Sequence, residues 1–218
     1  GHPLLDAVNR SRSREEALAA FGLRDAWPLV ALLPGSRAKE VTSLLPEMAG
    51  AAEILIRDFP DAQFVLPLAE TVDPALVQGI LSGHPVPVTV LTGQMYDAVG
   101  ISDAAMVASG TATLETALLG TPMVIAYRIS PLTAAVGRRV IRVQHIGLVN
   151  LIAGRTLAPE LVQENATAQR LAAEVKALLM DRERRDAIRC ELAAIRSKLG
   201  QPGASLRAAC LAYGLLKN

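Results

Sequence analysis

Two short apolar runs restrict this chain most, each cut off by a glycine-bearing polar cluster and followed at once by helix-spaced apolar residues. The first, residues 28–33, runs into Pro34-Gly35-Ser36-Arg37-Ala38-Lys39-Glu40, after which Val41, Leu44, Leu45, Met48, Ala52, Leu55 and Ile56 fall on one side of a helix. The second, residues 104–108, ends at Ser109-Gly110-Thr111-Ala112-Thr113; Leu114 and Leu118 then recur at helical spacing until Gly120 stops the pattern. Each unit reads as strand, turn, helix. Further strands are predicted over residues 62–68, 86–91 and 122–126, with helices over 74–81 and 95–99. Strands alternating with helices in this way predict an α/β fold, a Rossmann-like doubly wound parallel sheet. With 51% apolar but only 3% aromatic residues, the core must be built from Leu, Val, Ile and Ala, as suits a sheet covered on both faces.

Doubly wound sheets bind ligands beyond the carboxyl ends of their strands, and both glycine turns open on that edge. The first amides of the helix after Gly110 lack intrahelical partners and lie at the positive end of its dipole, which suits an anion. Glu115, about one turn on, is placed either to accept hydrogen bonds from hydroxyls of the anion's carrier or simply to favour the helix start. A sugar-nucleotide diphosphate fits the first alternative. Arg37 sits in the first turn of its helix, where its charge opposes the dipole. It is either a solvated residue or the partner of something anionic. No Asp-x-Asp pair is present to hold a divalent cation, His2, His84 and His145 are unclustered, and neither glycine turn is followed by Gly-Lys-Ser/Thr. The expectation is a metal-independent site without a cofactor, and no NTPase.

One domain is expected over residues 1–218: a linker and first helix (1–27), a sheet core (28–130) and a helical region (131–218). Ser13 and Glu16 have capping-box spacing. An apolar loop carrying Asn150 is predicted over 147–154, a short helix from Pro159, two helical patterns broken near Asp181, and a last helix over 203–216. Residues 131–143 read as a basic amphipathic helix, with Leu132, Val136, Val140 and Val143 on one stripe and Arg138, Arg139 and Arg142 beside it. That pattern fits an interfacial membrane helix or an ordinary core-facing one. A net charge of +1 gives no argument for nucleic acid. Cys190 and Cys210, far apart and without metal-ligand neighbours, read as reduced thiols of a cytoplasmic protein. No signal sequence and no apolar run of membrane-spanning length is visible. Lacking an initiator methionine, Gly1-His2-Pro3-Leu4-Leu5-Asp6 is expected to open a fragment or one half of a larger protein.

Several motifs together resemble the carboxy-terminal half of the lipid-A-disaccharide synthase family. They are Leu33-Pro34-Gly35-Ser36-Arg37 with Glu40; Ala108 through Glu115; Pro122-Met123-Val124 with Tyr127; and Asn150-Leu151-Ile152-Ala153-Gly154-Arg155 followed by Pro159-Glu160-Leu161-Val162-Gln163. Residues 1–6 resemble that family's linker between its halves, so the likeness covers the whole chain. It implies one half of a GT-B fold and an inverting transfer of 2,3-diacylglucosamine from UDP-2,3-diacylglucosamine to a lipid acceptor, 2,3-diacylglucosamine 1-phosphate. Carried over, Gly35, Ser36 and Arg37 line the donor diphosphate, Ser109, Gly110, Thr111, Ala112 and Thr113 cradle it, and Glu115 holds the ribose. Glu40, Tyr127, Asn150 and Gln163 are further site candidates. Val149 stands where the family pattern has proline. The implied general base belongs to the amino-terminal half, which is the expected partner, and the acylated substrates imply a peripheral place on the inner face of the inner membrane, with residues 131–143 read as the membrane-surface helix. Two rivals remain: another UDP-GlcNAc-handling GT-B enzyme of muramyl transferase or 2-epimerase type, and a non-catalytic nucleotide-binding module.

Overall fold

A computed structural model describes residues 1–129 and 145–215. The expected helix over 131–143 lies outside the described residues. Five strands follow the sequence reading closely: β1 (Leu29–Leu33), β2 (Gln63–Leu68), β3 (Val88–Thr92), β4 (Ala104–Ala108) and β5 (Met123–Tyr127). A sixth, β6 (Glu160–Val162), stands where a short helix was expected, inside the region read as helical. It pairs in parallel with β5, Ile125 against Glu160 and Tyr127 against Val162. Three residues on a sheet edge are too few for an alternation to show, so helix and strand could not be told apart there. The sheet order is β3-β2-β1-β4-β5-β6, all parallel.

β1 and β4 are buried along their whole length and pair with one another at the centre. β4 carries three alanines, Ala104, Ala105 and Ala108, which let helices approach both faces of the sheet. Ten α-helices are described. α1 (Leu4–Ala7) and α2 (Arg14–Phe21) precede the sheet; α3 (Ala38–Asp58), α4 (Pro74–Leu81), α5 (Met95–Gly100) and α6 (Thr111–Leu118) connect its first five strands. α7 (Leu148–Ala153) lies where an apolar loop was expected, and α8 (Ala168–Met180), α9 (Arg182–Lys198) and α10 (Ala204–Leu215) follow β6. α3 packs on α4 and α8 over one face, while α6 packs on α5, α7 and α9 over the other. The predicted stripe of α3 is buried at Val41, Leu44, Leu45, Met48, Ala52 and Leu55.

Local capping agrees with the sequence. The Ser13 hydroxyl accepts from Glu16 N at 3.2 Å while the Glu16 carboxylate accepts from Ser13 N at 2.8 Å. The backbone and hydroxyl of Ser13 hold the Glu16 carboxyl below its ordinary range. Asp181 closes α8 and caps α9, accepting from Arg184 N at 2.9 Å. Among the described residues no helix is long and apolar enough to cross a membrane.

Candidate functional site

Because β1 and β4 are neighbours whose following helices lie on opposite faces, the connections diverge and leave a crevice at their carboxyl ends. A cavity of about 310 Å³ fills it, lined by Gly35, Ser36 and Arg37 after β1, by Ser109, Gly110, Thr111 and Ala112 after β4, and by Glu40 and Glu115. The two turns predicted to bind an anion thus face each other across one space. The N-terminal ends of α3 and α6 both open into it. A second space of about 720 Å³ adjoins it, sharing Arg37, Glu40 and Ser109 and bounded by Ser43, Tyr127 and Arg128.

Each turn is fixed by identifiable contacts. Gly35 has φ +115°, and a Cβ there would come within 2.7 Å of Glu40 Cβ, so the turn requires glycine. Ser36 N donates to Glu40 Oε2 at 3.1 Å, and Thr71, just past β2, donates its hydroxyl to Ser36 O at 2.6 Å. Arg37 Nη1 meets Glu40 Oε1 at 3.1 Å, but its side chain is 81% exposed. An exposed pair of this kind contributes little, so the guanidinium can leave it for a phosphate at small cost. Glu40 therefore belongs to the turn's own structure as much as to the cavity wall.

On the other side, Ser109 donates its hydroxyl to Ile146 O at 3.2 Å. Thr111 and Ala112 present first-turn amides at the mouth of α6. Thr113 departs from the expected cradle. It is fully buried, and both its amide and its hydroxyl turn back to Gly110 O, at 3.2 and 2.8 Å. It closes the helix start and does not line the cavity. Glu115 Oε1 accepts from the Tyr96 hydroxyl at 2.9 Å.

Asn150 also departs from the sequence reading. Its side chain is fully buried, donates to Ala158 O (2.8 Å) and Glu160 Oε1 (2.7 Å), and accepts from Leu157 N (2.8 Å) and Ala158 N (2.9 Å). With all its polar atoms occupied, it is a tie between α7 and the approach to β6. It reaches the site only indirectly, since Glu160 accepts from Ile146 N and Gly147 N at 2.9 and 3.0 Å. Gln163 adopts φ +54°, and its amide side chain bonds both Ile129 N (3.0 Å) and Ile129 O (3.3 Å), prolonging the pairing at the end of β5. It too is a tie and not a wall of either space. Tyr127 is half-buried beside the second space.

Three residues that the sequence did not flag complete the scaffold. Arg128 joins Glu47 of α3 (2.9 Å), Ser43 O and Gln163 O, while Glu47 also accepts from Ala168 N (2.7 Å) at the start of α8. Asp97 of α5 is buried and accepts from Ser11 N, Ser11 Oγ, Arg12 N and Arg12 Nη1 at 2.6–3.1 Å. Burial opposes its ionisation, but the Ser11 hydroxyl, the two amides and the Arg12 charge outweigh that and hold the carboxyl below its ordinary range. Nothing local marked these residues, because their partners are distant in sequence. Among the described residues no three His, Cys, Asp or Glu gather as metal ligands would.

The sequence model of the family described as lipid-A-disaccharide synthetase matches residues 1–213. The lipid-A-disaccharide synthase of Syntrophus aciditrophicus is 52% identical over 100% of this chain and 57% of its own length. The chain thus spans a little over half the length of that curated relative. In fold it is similar to the C-terminal domain of LpcC, a group 1 glycosyl transferase of Francisella tularensis (TM-score 0.58, 12% identity, 90% of this chain and 97% of that one). It is also similar to WaaG, a glycosyltransferase involved in lipopolysaccharide biosynthesis (TM-score 0.60, 13% identity, 93% and 51%). At such identities the likeness speaks for the fold alone, that of one half of a GT-B glycosyltransferase.

Proposed function

The chain belongs to the lipid-A-disaccharide synthetase family, and on that premise we propose that it is the UDP-sugar-binding half of an inverting glycosyltransferase. The reaction joins UDP-2,3-diacylglucosamine to 2,3-diacylglucosamine 1-phosphate in lipid A biosynthesis. The observation that carries this reading is the facing of two helix N-termini, Arg37 and Glu115 across one crevice. First-turn amides of α3 and α6, aided by Arg37 once it leaves Glu40, suit a diphosphate. Glu115 suits the paired hydroxyls of a ribose, and the adjoining space by Tyr127 and Arg128 leaves room beyond the phosphates for the acylated sugar.

In the transfer, an acceptor hydroxyl oxygen attacks the anomeric carbon from the face opposite UDP. The bond to the diphosphate oxygen breaks, and the charge that develops there is met by fixed amides and the guanidinium. On this reading the helix amides, joined by Arg37 as it exchanges Glu40 for phosphate, stabilise UDP without a metal. The hydroxyl proton passes to a general base, assigned here to the amino-terminal half as partner. Acylated substrates require the cleft to approach lipid, so we place the protein peripherally on the inner face of the inner membrane. The test is calorimetric titration of the chain with UDP against ADP and GDP, followed by an assay of sugar transfer. UDP is expected to bind, weakly and in preference to the others, without turnover by this chain alone. Equal binding of all three, or turnover, would overturn the reading.

A further inference from the structure

Glu115 and Glu40 both face the crevice, yet they are held in opposite ways. Glu40, in the first turn of α3, folds back onto Ser36 N and Arg37 of its own turn. Glu115, one turn into α6, is held from outside its helix by Tyr96 of α5, whose hydroxyl donates to Oε1 at 2.9 Å. Met95 lines the crevice, whereas Tyr96 is not among its walls and meets the carboxylate that is. Burial, then the hydrogen bond and charge of Glu115, push the Tyr96 phenol up to about 12. It stays protonated at neutral pH and donates its hydrogen bond to the carboxylate.

From this geometry we infer that Tyr96 is a positioning residue for the nucleotide's ribose, acting through Glu115. The inference rests on the reading of Glu115 as the ribose acceptor. A free glutamate spreads over three side-chain torsions, and ordering it on binding costs affinity. Tyr96 has two torsions and sits on a helix that Asp97 anchors to Ser11 and Arg12, so the carboxylate is ordered before ligand arrives. One carboxylate oxygen is engaged by Tyr96, and among the described residues the other has no hydrogen-bond partner and can meet a hydroxyl.

The experiment measures affinities of the full chain for UDP and for 2′,3′-dideoxy-UDP, which lacks the ribose hydroxyls, in wild type, Tyr96→Phe, Glu115→Ala and the double variant. Tyr96→Phe is expected to weaken UDP about three- to tenfold and to leave the dideoxy analogue unchanged. Added to Glu115→Ala it should have no further effect, because the residue it acts through is gone. Thermal unfolding of each variant gives an independent reading of packing. Unchanged UDP affinity in Tyr96→Phe, or equal loss for both nucleotides with a lowered Tm, would overturn the positioning role while Glu115→Ala still lost UDP selectively. Unchanged UDP affinity in Glu115→Ala would instead overturn the ribose reading, and this inference with it.

Discussion

Replacing Asn150 by alanine tests whether this residue acts on ligand or on structure. The substitution strips the acceptor from the amides of Leu157 and Ala158, at 7% and 3% exposure, and removes the donor to Ala158 O and Glu160. Each buried amide left without an acceptor costs about 1–3 kcal/mol, so the two together cost roughly 4 kcal/mol. That is a large share of the roughly 5–15 kcal/mol that holds a domain folded. With a urea m-value of about 2.5 kcal/mol/M, the unfolding midpoint should fall by roughly 1.5 M. Circular dichroism in urea measures the shift. Calorimetry on the protein that remains folded should give a UDP affinity within about twofold of wild type, since Asn150 touches neither cavity wall. An unchanged midpoint with lost UDP affinity would refute this reasoning and make Asn150 a ligand contact.

Arg37→Ala and Glu115→Ala should each lower UDP affinity about ten- to hundredfold, the loss of one charged hydrogen bond, with unfolding midpoints unchanged because both side chains border the open crevice; unaltered affinity in calorimetry would exclude the assigned roles. UDP affinity should be the same with and without EDTA, and a strong loss in chelator would reveal a metal requirement. Asp97→Asn should cost about 2 kcal/mol at neutral pH. Because the folded-state carboxyl titrates below its unfolded range, the Asp97 contribution is complete above about pH 4 and is lost as pH falls through the folded value. Urea unfolding from pH 7 to pH 3 should therefore show a steeper decline in the wild type than in the variant. Parallel curves would mean that the Ser11 and Arg12 contacts carry no charge-dependent stability.

The strand–turn–helix units were legible in the sequence because their causes are local. An apolar run that stops at Gly35 or Gly110, followed by a 3.6-residue period, fixes an element and its end within a dozen residues. The same holds for the Ser13–Glu16 cap and the break at Asp181. Candidate site residues on the two turns were legible for the same reason, and the likeness to a family joined them into one hypothesis. What the chain's local pattern did not contain was which strands lie side by side. Only the pairing of Val30 with Ala104 and Leu33 with Val107 brings the two turns together across a crevice. β6 was not legible because three edge residues carry no period, and nothing local in the sequence showed that Thr113 and Gln163 bond backbone groups and that Asn150 bonds backbone groups and the Glu160 carboxylate. Tyr96 with Glu115, Arg128 with Glu47, and Asp97 with Ser11 stand 19, 81 and 86 residues apart. Such contacts form only where packing of apolar faces has already set the helices in place. Sequence period records which side of a helix is buried and not what it is buried against. The elements of this protein were thus decided locally, and the partnership of its site residues was decided by the order of the sheet.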